Sequence, residues 1–431
     1  MPTKDEIRDI LNRTRTYLTQ VLLPFWIKHA PDPEFGGYLT HFDATGKRTG
    51  ETTKTFLMQI RTLYTMASAH RAGYGEGACA ELAQRGARFI LDHYWDDEYD
   101  GWIWIADRQG NPTCWDKIGY GQCFGVYAFS EYALATGDER GREAALRSYD
   151  AVCRHMVDVR HGGFLELFHR DWTPFPAGTA GGDRKSLDVH MHMMEAFTTL
   201  YELTGNASHR RRLLAVIDLI LDRMLHPDYG LGFAQFSDDF TPLPAINFDT
   251  TWGRDAEPEA GRRAKPLDQT SPGHNVEFAW LLLRAADVLD IPKERYAHVL
   301  RTMCDHCVTY GIDDTYGGIF ADVPMDRTTN LTEKQFWQQA EALIAILDAF
   351  LLLGDPKYWQ AFVNVWAFVF EKFVAMDAGG EWYERLDRKG NVLDGDLAHH
   401  WKINYHTVRS MIQTVQRLKL LVAVPNQKRV V

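Results

Sequence analysis

The chain has 431 residues, 45% of them hydrophobic and 13% aromatic, and a formal net charge of −11. With no basic block and no apolar run of membrane-spanning length, it is a poor partner for nucleic acid or an anionic membrane, which leaves a small molecule as the expected ligand. The charged opening MPTKDEIRDILNRTRTYL is not a signal peptide, so a cytoplasmic protein is expected.

The first predicted helix covers residues 4–28. It gives way to DPEFGGYLTHFDATG (32–46), an acidic turn followed by a glycine pair and a few strand-like residues. Two stretches with apolar residues at three-and-four spacing follow, 53–73 and 78–95. The phrase then returns as DDEYDGWIWIADRQGNP (96–112), DVRHGGFLELFHRDWTP (158–174), HPDYGLGFAQFSDDFTP (226–242), DDTYGGIFADVPMD (313–326) and DAGGEWYERLDRKGNV (377–392). The last glycine of each core is Gly37, Gly101, Gly163, Gly232, Gly318 and Gly380, at intervals of 64, 62, 69, 86 and 62 residues. Glycine after an acidic turn suits positive φ and tight reversal, and the alternation beyond it reads as a short strand. ATGDER, LTGNAS and LLGDPKY split intervals into two helices through a glycine C-cap.

A last helix at 404–422 lacks a partner, as does the first. Pairing them makes twelve helices in six hairpins, an all-α (α/α)6 barrel spanning 1–431 as a single domain. An open solenoid would require polar capping helices, whereas LLPFWI and LLVAV at the two ends are apolar. Cys304 and Cys307 form a C-x-x-C inside a helical stretch with no second pair at zinc spacing, so free thiols are expected.

Polar clusters recur just downstream of the glycine markers: Arg61; Tyr120 with Gln122; Asp188 with His190 and His192; His274 with Glu277; Trp337 with Gln339 and Glu341; Trp401 with His406. From Arg61, Tyr120, His192, His274 and Trp337 to the next marker there are 40, 43, 40, 44 and 43 residues, which predicts equivalent places at one end of the ring. Asp188 and His192 are spaced i,i+4 and His274 and Glu277 i,i+3, so each pair shares a helix face. His190 points elsewhere and reads as structural. The excess length of unit four, the polar stretch 246–272, is expected to cover or wall this rim. No ligand set with convergent metal spacing is present, so neither metal nor cofactor is expected.

SPGHNVEFAWLLL (271–283), FWQQAEALIAI (336–346), GGEWYERLDRKGN (379–391) and HHWKINYHTVRS (399–410) resemble the N-acylglucosamine 2-epimerase superfamily, whose fold is an (α/α)6 barrel. The resemblance runs along essentially the whole chain. It implies that His274 and His406 are the general acid/base pair, Glu277 a carboxylate beside the first of them, His192 an aid to ring opening and Arg61 a ligand of sugar oxygens. Tyr120, Trp337 and Trp401 match pocket residues. The disaccharide epimerases carry Asn-Thr-His-x-His where this chain has Asp188-Val189-His190-Met191-His192.

The implied reaction is isomerisation at C2 of a free reducing aldose of the mannose or glucose type. Proton abstraction gives an enediol, and reprotonation gives the 2-epimer or the ketose. Asp188, Gln122 and Glu341 are further candidates for substrate binding, and a monomer or homodimer is expected. A cellobiose 2-epimerase is the alternative within the family. A glycoside hydrolase on the same barrel, using two of Asp188, Glu277 and Glu341, is the alternative outside it.

Overall fold

The computed structural model describes residues 1–246, 265–327 and 333–423. In chain order the helices are α1 (Lys4–Tyr17), α2 (Leu23–His29), α3 (Phe56–Arg71), α4 (Ala78–His93), α5 (Gly119–Thr136), α6 (Glu139–Ala151), α7 (Leu187–Thr204), α8 (Ala207–Arg223), α9 (Pro272–Val288), α10 (Ala297–His306), α11 (Phe336–Leu353), α12 (Pro356–Phe368) and α13 (Tyr405–Ala423). A π turn at Leu18–Leu22 joins α1 to α2 without a loop, so the two act as one outer helix.

The odd-numbered helices from α3 to α13 form an inner ring. Each packs on the next, and α13 returns to α3. Outside them, α4, α6, α8, α10 and α12 each back the inner helix of their own unit, and α1 backs α13. The ring is therefore closed, as expected of an (α/α)6 barrel and not of an open solenoid. An inner helix has neighbours on every side, which explains why α11 is apolar nearly all round. By length and composition alone α11 could cross a bilayer, but here it is mostly buried in the barrel wall. Cys304 and Cys307 are buried free thiols.

The recurrent phrase is a hairpin that ties three units together. Asp32 opens the first one. Its Oδ1 accepts from the backbone N–H of Glu34 at 3.1 Å, and its Oδ2 takes the buried Lys54 Nζ at 3.0 Å. Lys54 also donates to the carbonyls of Gly36 and Arg108, each at 2.7 Å, and Arg108 returns two bonds to Asp32. The same knot recurs as Asp96–Lys117–Arg170 and Asp313–Lys334–Arg388, and as Asp158–Lys185 with the Asp238 carbonyl. Each of these lysines stands immediately before the cap residue of an inner helix, so the knot fixes where that helix begins.

Five of the six marker glycines have positive φ, and a Cβ on Gly37 would lie 2.5 Å from Phe89. Gly232 is the exception. There Gly230 takes the left-handed position, and Gly232 is needed because a Cβ would lie 2.3 Å from Leu187. Most of the stretch 246–272, residues 247–264, lies outside the described residues, and with it the expected wall of the rim.

Candidate active site

Every inner helix starts at the same end of the barrel, and the candidate residues sit on the first two turns, apart from Trp401, which lies just before α13. Thr55, Ser186 and Ser271 cap α3, α7 and α9 by accepting from the backbone N–H three residues on. Counting from the caps gives a register that differs from the expected one. Six residues past the cap lie Arg61, Phe124, His192, Glu277 and Glu341. Tyr120, Asp188 and Trp337 lie two past it, and His274 three. The near-constant spacing to the next marker mixed these layers. They still converge, because positions two, three and six share a helix face.

The layer four past the cap points outward. Gln122 accepts from the Trp102 N–H at 2.9 Å and donates to its carbonyl at 2.7 Å, so its amide is spent on a hairpin. This removes Gln122 from the substrate-facing set. Gln339 does the same with Ile319, and His190 accepts from the Phe164 N–H at 3.0 Å. His190 is thus structural, as its helix face implied.

Three imidazoles occupy the inward faces. His192 is buried. Its Nδ1 lies 2.9 Å from Glu195 Oε2, and its Nε2 lies 3.1 Å from the Tyr120 hydroxyl and 3.3 Å from Asp188 Oδ1. Burial opposes charge on this ring, but the bonds to Asp188 and Glu195 and the nearby Glu277 outweigh it and raise its pKa to about 9. His192 is therefore an imidazolium at neutral pH. His274 keeps 29% side-chain exposure, with Nε2 3.8 Å from Asp188 Oδ1 and its ring 4.6 Å from that of Trp337. Burial pulls its pKa below 6.5 against the opposing pull of Asp188, and the charge on His192 adds to the fall.

His406 also lies against Trp337, 5.8 Å between ring centroids. Its Nδ1 lies 2.7 Å from Glu341 Oε1. A carboxylate partner makes Nδ1 the donor and leaves Nε2 with the lone pair. Burial holds the His406 pKa down to about 3 in spite of Glu341. His274 and His406 are thus held neutral, while His192 is held protonated.

Behind them lies a charge network that the sequence reading did not single out. Arg409, buried on α13, donates to Glu195 at 2.5 Å and to both Glu277 and Glu341 at 2.8 Å, and it also bonds the Tyr405 hydroxyl. Glu341 accepts from Trp280 Nε1 at 2.9 Å as well. Burial and the neighbouring Glu341 raise the Glu277 pKa, whereas Arg409 and His406 overcome burial to lower that of Glu341. Glu341 therefore orients His406 from behind instead of facing a ligand.

Glu277, Glu341 and His406 offer donor atoms within 4.8 Å of one another, the spacing of a metal site. The Arg409 guanidinium already bridges the two carboxylates there and supplies the positive charge, so the set does not fit a metal ion. Spacing could have flagged Arg409, which falls three residues after His406 and four after Tyr405, and Glu195, three after His192.

Arg61 closes the floor. Its guanidinium bonds the Tyr120 hydroxyl, reaches the Trp401 carbonyl at 3.4 Å and lies 4.5 Å over the Phe124 ring. Its Nε is buried without a partner. The Trp401 ring stacks on Tyr120 at 5.3 Å. Asp188, His274, Trp337 and Trp401 remain partly exposed above this floor, and Glu277 and Glu341 are sealed beneath it. That burial tells against a hydrolase pair, whose two carboxyls must both face the scissile bond.

The N-acylglucosamine 2-epimerase (GlcNAc 2-epimerase) family model matches residues 37–410. Cellobiose 2-epimerase of Bacteroides fragilis is 27% identical over 407 residues, covering 92% of this chain and 96% of its own. D-mannose isomerase of Marinomonas mediterranea is 23% identical over 414 residues, covering 92% and 95%. The solved structure of cellobiose 2-epimerase from Spirochaeta thermophila superposes with a TM-score of 0.81 at 25% identity, over 96% of this chain and 98% of that one.

Proposed function

Because the chain belongs to the N-acylglucosamine 2-epimerase family, we propose that it is a sugar isomerase that acts at C2 of a free reducing aldose of the mannose or glucose type. The similar proteins named above, a cellobiose 2-epimerase and a D-mannose isomerase, both act on reducing sugars, which supports the coarse reaction class. The finer roles rest on the site. His192, charged and doubly hydrogen-bonded, donates toward the ring oxygen as the hemiacetal opens, with Arg61 beneath it. One of the neutral pair, His274 or His406, then takes the C2 proton. The resulting enediolate carries its charge on oxygen, where Arg61 and His192 offer donors. The other imidazole, neutral at rest, takes the O1 hydroxyl proton as the hemiacetal opens. It can then give a proton to the opposite face of C2, which completes the epimer, while a proton delivered to C1, with the O2 proton passing to O1, completes the ketose.

The observation that carries this reading is the split among three converging imidazoles, two neutral and both against Trp337, and one charged between two carboxylates. Acid and base chemistry at one pH needs such a split. The partly exposed tryptophans Trp337 and Trp401 offer faces to a sugar ring.

Incubation with mannose, glucose, fructose and cellobiose, followed by chromatography, tests the proposal. Interconversion among the three monosaccharides is the expected result. Conversion of cellobiose to its 2-epimer in preference to them would move the substrate to the disaccharide. Release of glucose from cellobiose, or no conversion of any sugar, would overturn the assignment.

A further inference from the structure

Asp188 stands where its carboxylate reaches two of the three imidazoles at once. It is the second residue of α7, where the helix dipole favours an anion. Its Oδ1 lies 3.3 Å from His192 Nε2 on the same helix and 3.8 Å from His274 Nε2 on α9. The first distance allows a stretched charge-assisted bond. The second is beyond hydrogen-bond reach but close enough for attraction to any proton that arrives there.

We propose that Asp188 is a shared positioning carboxylate that holds His192 as the acid and readies His274 as the base, making the two rings a coupled pair. This rests on the proposed C2 chemistry and adds to it a division of labour between the rings. When His192 gives up its proton, Asp188 loses its closest cation and its field falls more fully on His274. A proton taken from C2 onto His274 is then met by the carboxylate that the first step released. An uncharged amide at 188 would bond His192 without coupling it to His274.

Other charges face this pair from every side. Glu195 lies on α7 itself, Arg61 on α3, Tyr120 on α5 and Glu277 on α9. Lys265 and Asp322, paired at 2.8 Å, act on His274 from the rim. Glu195 and Glu277 favour charge on His192 but are not among the charges that act on His274, so Asp188 is the carboxylate the two rings share, beside the direct repulsion between them.

The test is a pH titration of histidine ring nitrogens by NMR in the intact 15N-histidine-labelled protein, without sugar, for the native chain, Asp188→Asn and Asp188→Glu. His192 and His274 signals are assigned by their single substitutions. In Asp188→Asn the midpoints of both His192 and His274 should fall, His192 by about 1–3 pH units, the effect of a nearby opposite charge. Asp188→Glu should restore much of the His192 midpoint, and His190, locked against its hairpin, should keep its own. Unchanged midpoints in Asp188→Asn, or an equal fall in His190, would overturn the proposal. Because no substrate is present, its failure is separable from that of the C2 assignment, which sugar conversion by the native protein reads independently.

Discussion

Arg409 is the charge around which three buried carboxylates arrange themselves. Replacing it by Met leaves Glu195, Glu277 and Glu341 without their shared cation. Removing one partner of a buried ion pair costs about 3–5 kcal/mol. Glu341 would then rise toward protonation and could no longer fix the His406 tautomer. Arg409→Met is expected to lower the urea midpoint and to reduce kcat/KM by at least about 10²-fold, the share of a positioned acid/base; native kinetics in a folded variant would refute the orienting role. The pKa directions set the pH profile. His192 is needed charged, with a pKa raised to about 9, so activity should fall as pH rises through 9. His274 is needed neutral, with a pKa below 6.5, so the acid limb should lie below that value. A stopped assay at constant ionic strength reads both limbs, and an alkaline limb near 6.5 would mean that His192 is not held charged. Much of this was legible in the sequence. The histidines, Asp188 and Arg61 lie on helix starts at face-sharing spacings. Glu195 and Arg409 were missed because they fall one turn deeper, where a charged residue among apolar ones resembles an ordinary buried pair. Gln122 was misassigned because only the start of α5, set by Lys117, decides which face its amide takes.

The hairpins act at the scale of elements. Lys54, Lys117, Lys185 and Lys334 each fix a cap residue, and the cap fixes which side chains look inward two, three and six residues later. A buried Asp–Lys knot is thus a positioning device for Trp337 or His192 some distance away. Asp313→Asn should destabilise the protein by about 3–5 kcal/mol, since it leaves Lys334 buried without a counter-charge. The double variant Asp313→Asn with Lys334→Met should recover part of that loss. A urea melt series measures both, and simple addition of the two single losses would show that the residues do not act as a pair. The period of the glycine phrase and the helix pairs could be read from the sequence, because turn residues and apolar spacing are local signals. What Asp32, Asp96, Asp158 and Asp313 do at the opening of their phrases could not, since the lysine partner lies about twenty residues or more further on and, for three of them, an arginine comes from the next hairpin.

At the scale of the molecule, the ring is held shut by contacts between the first helices and the last unit. Trp26 Nε1 donates to Glu381 at 2.6 Å, Trp382 Nε1 to the Tyr17 hydroxyl at 2.8 Å and Trp366 Nε1 to Thr14 at 3.0 Å. Deleting residues 1–29 would strip the apolar backing from α13, the helix that carries His406 and Arg409. The truncated chain is expected to lose its cooperative unfolding transition by circular dichroism, whereas a chain with independent units would keep most of it. Closure also brings His406, from the last inner helix, to the same Trp337 ring as His274 two units earlier, and in the proposed reaction these two imidazoles exchange protons with opposite faces of C2. Turnover in D₂O tests it most directly, with the 2-epimer isolated at low conversion and its C2 position read by NMR. The two-base account requires deuterium at C2 of the epimer in each net epimerisation. An epimer that forms at the native rate with hydrogen at C2 would contradict it.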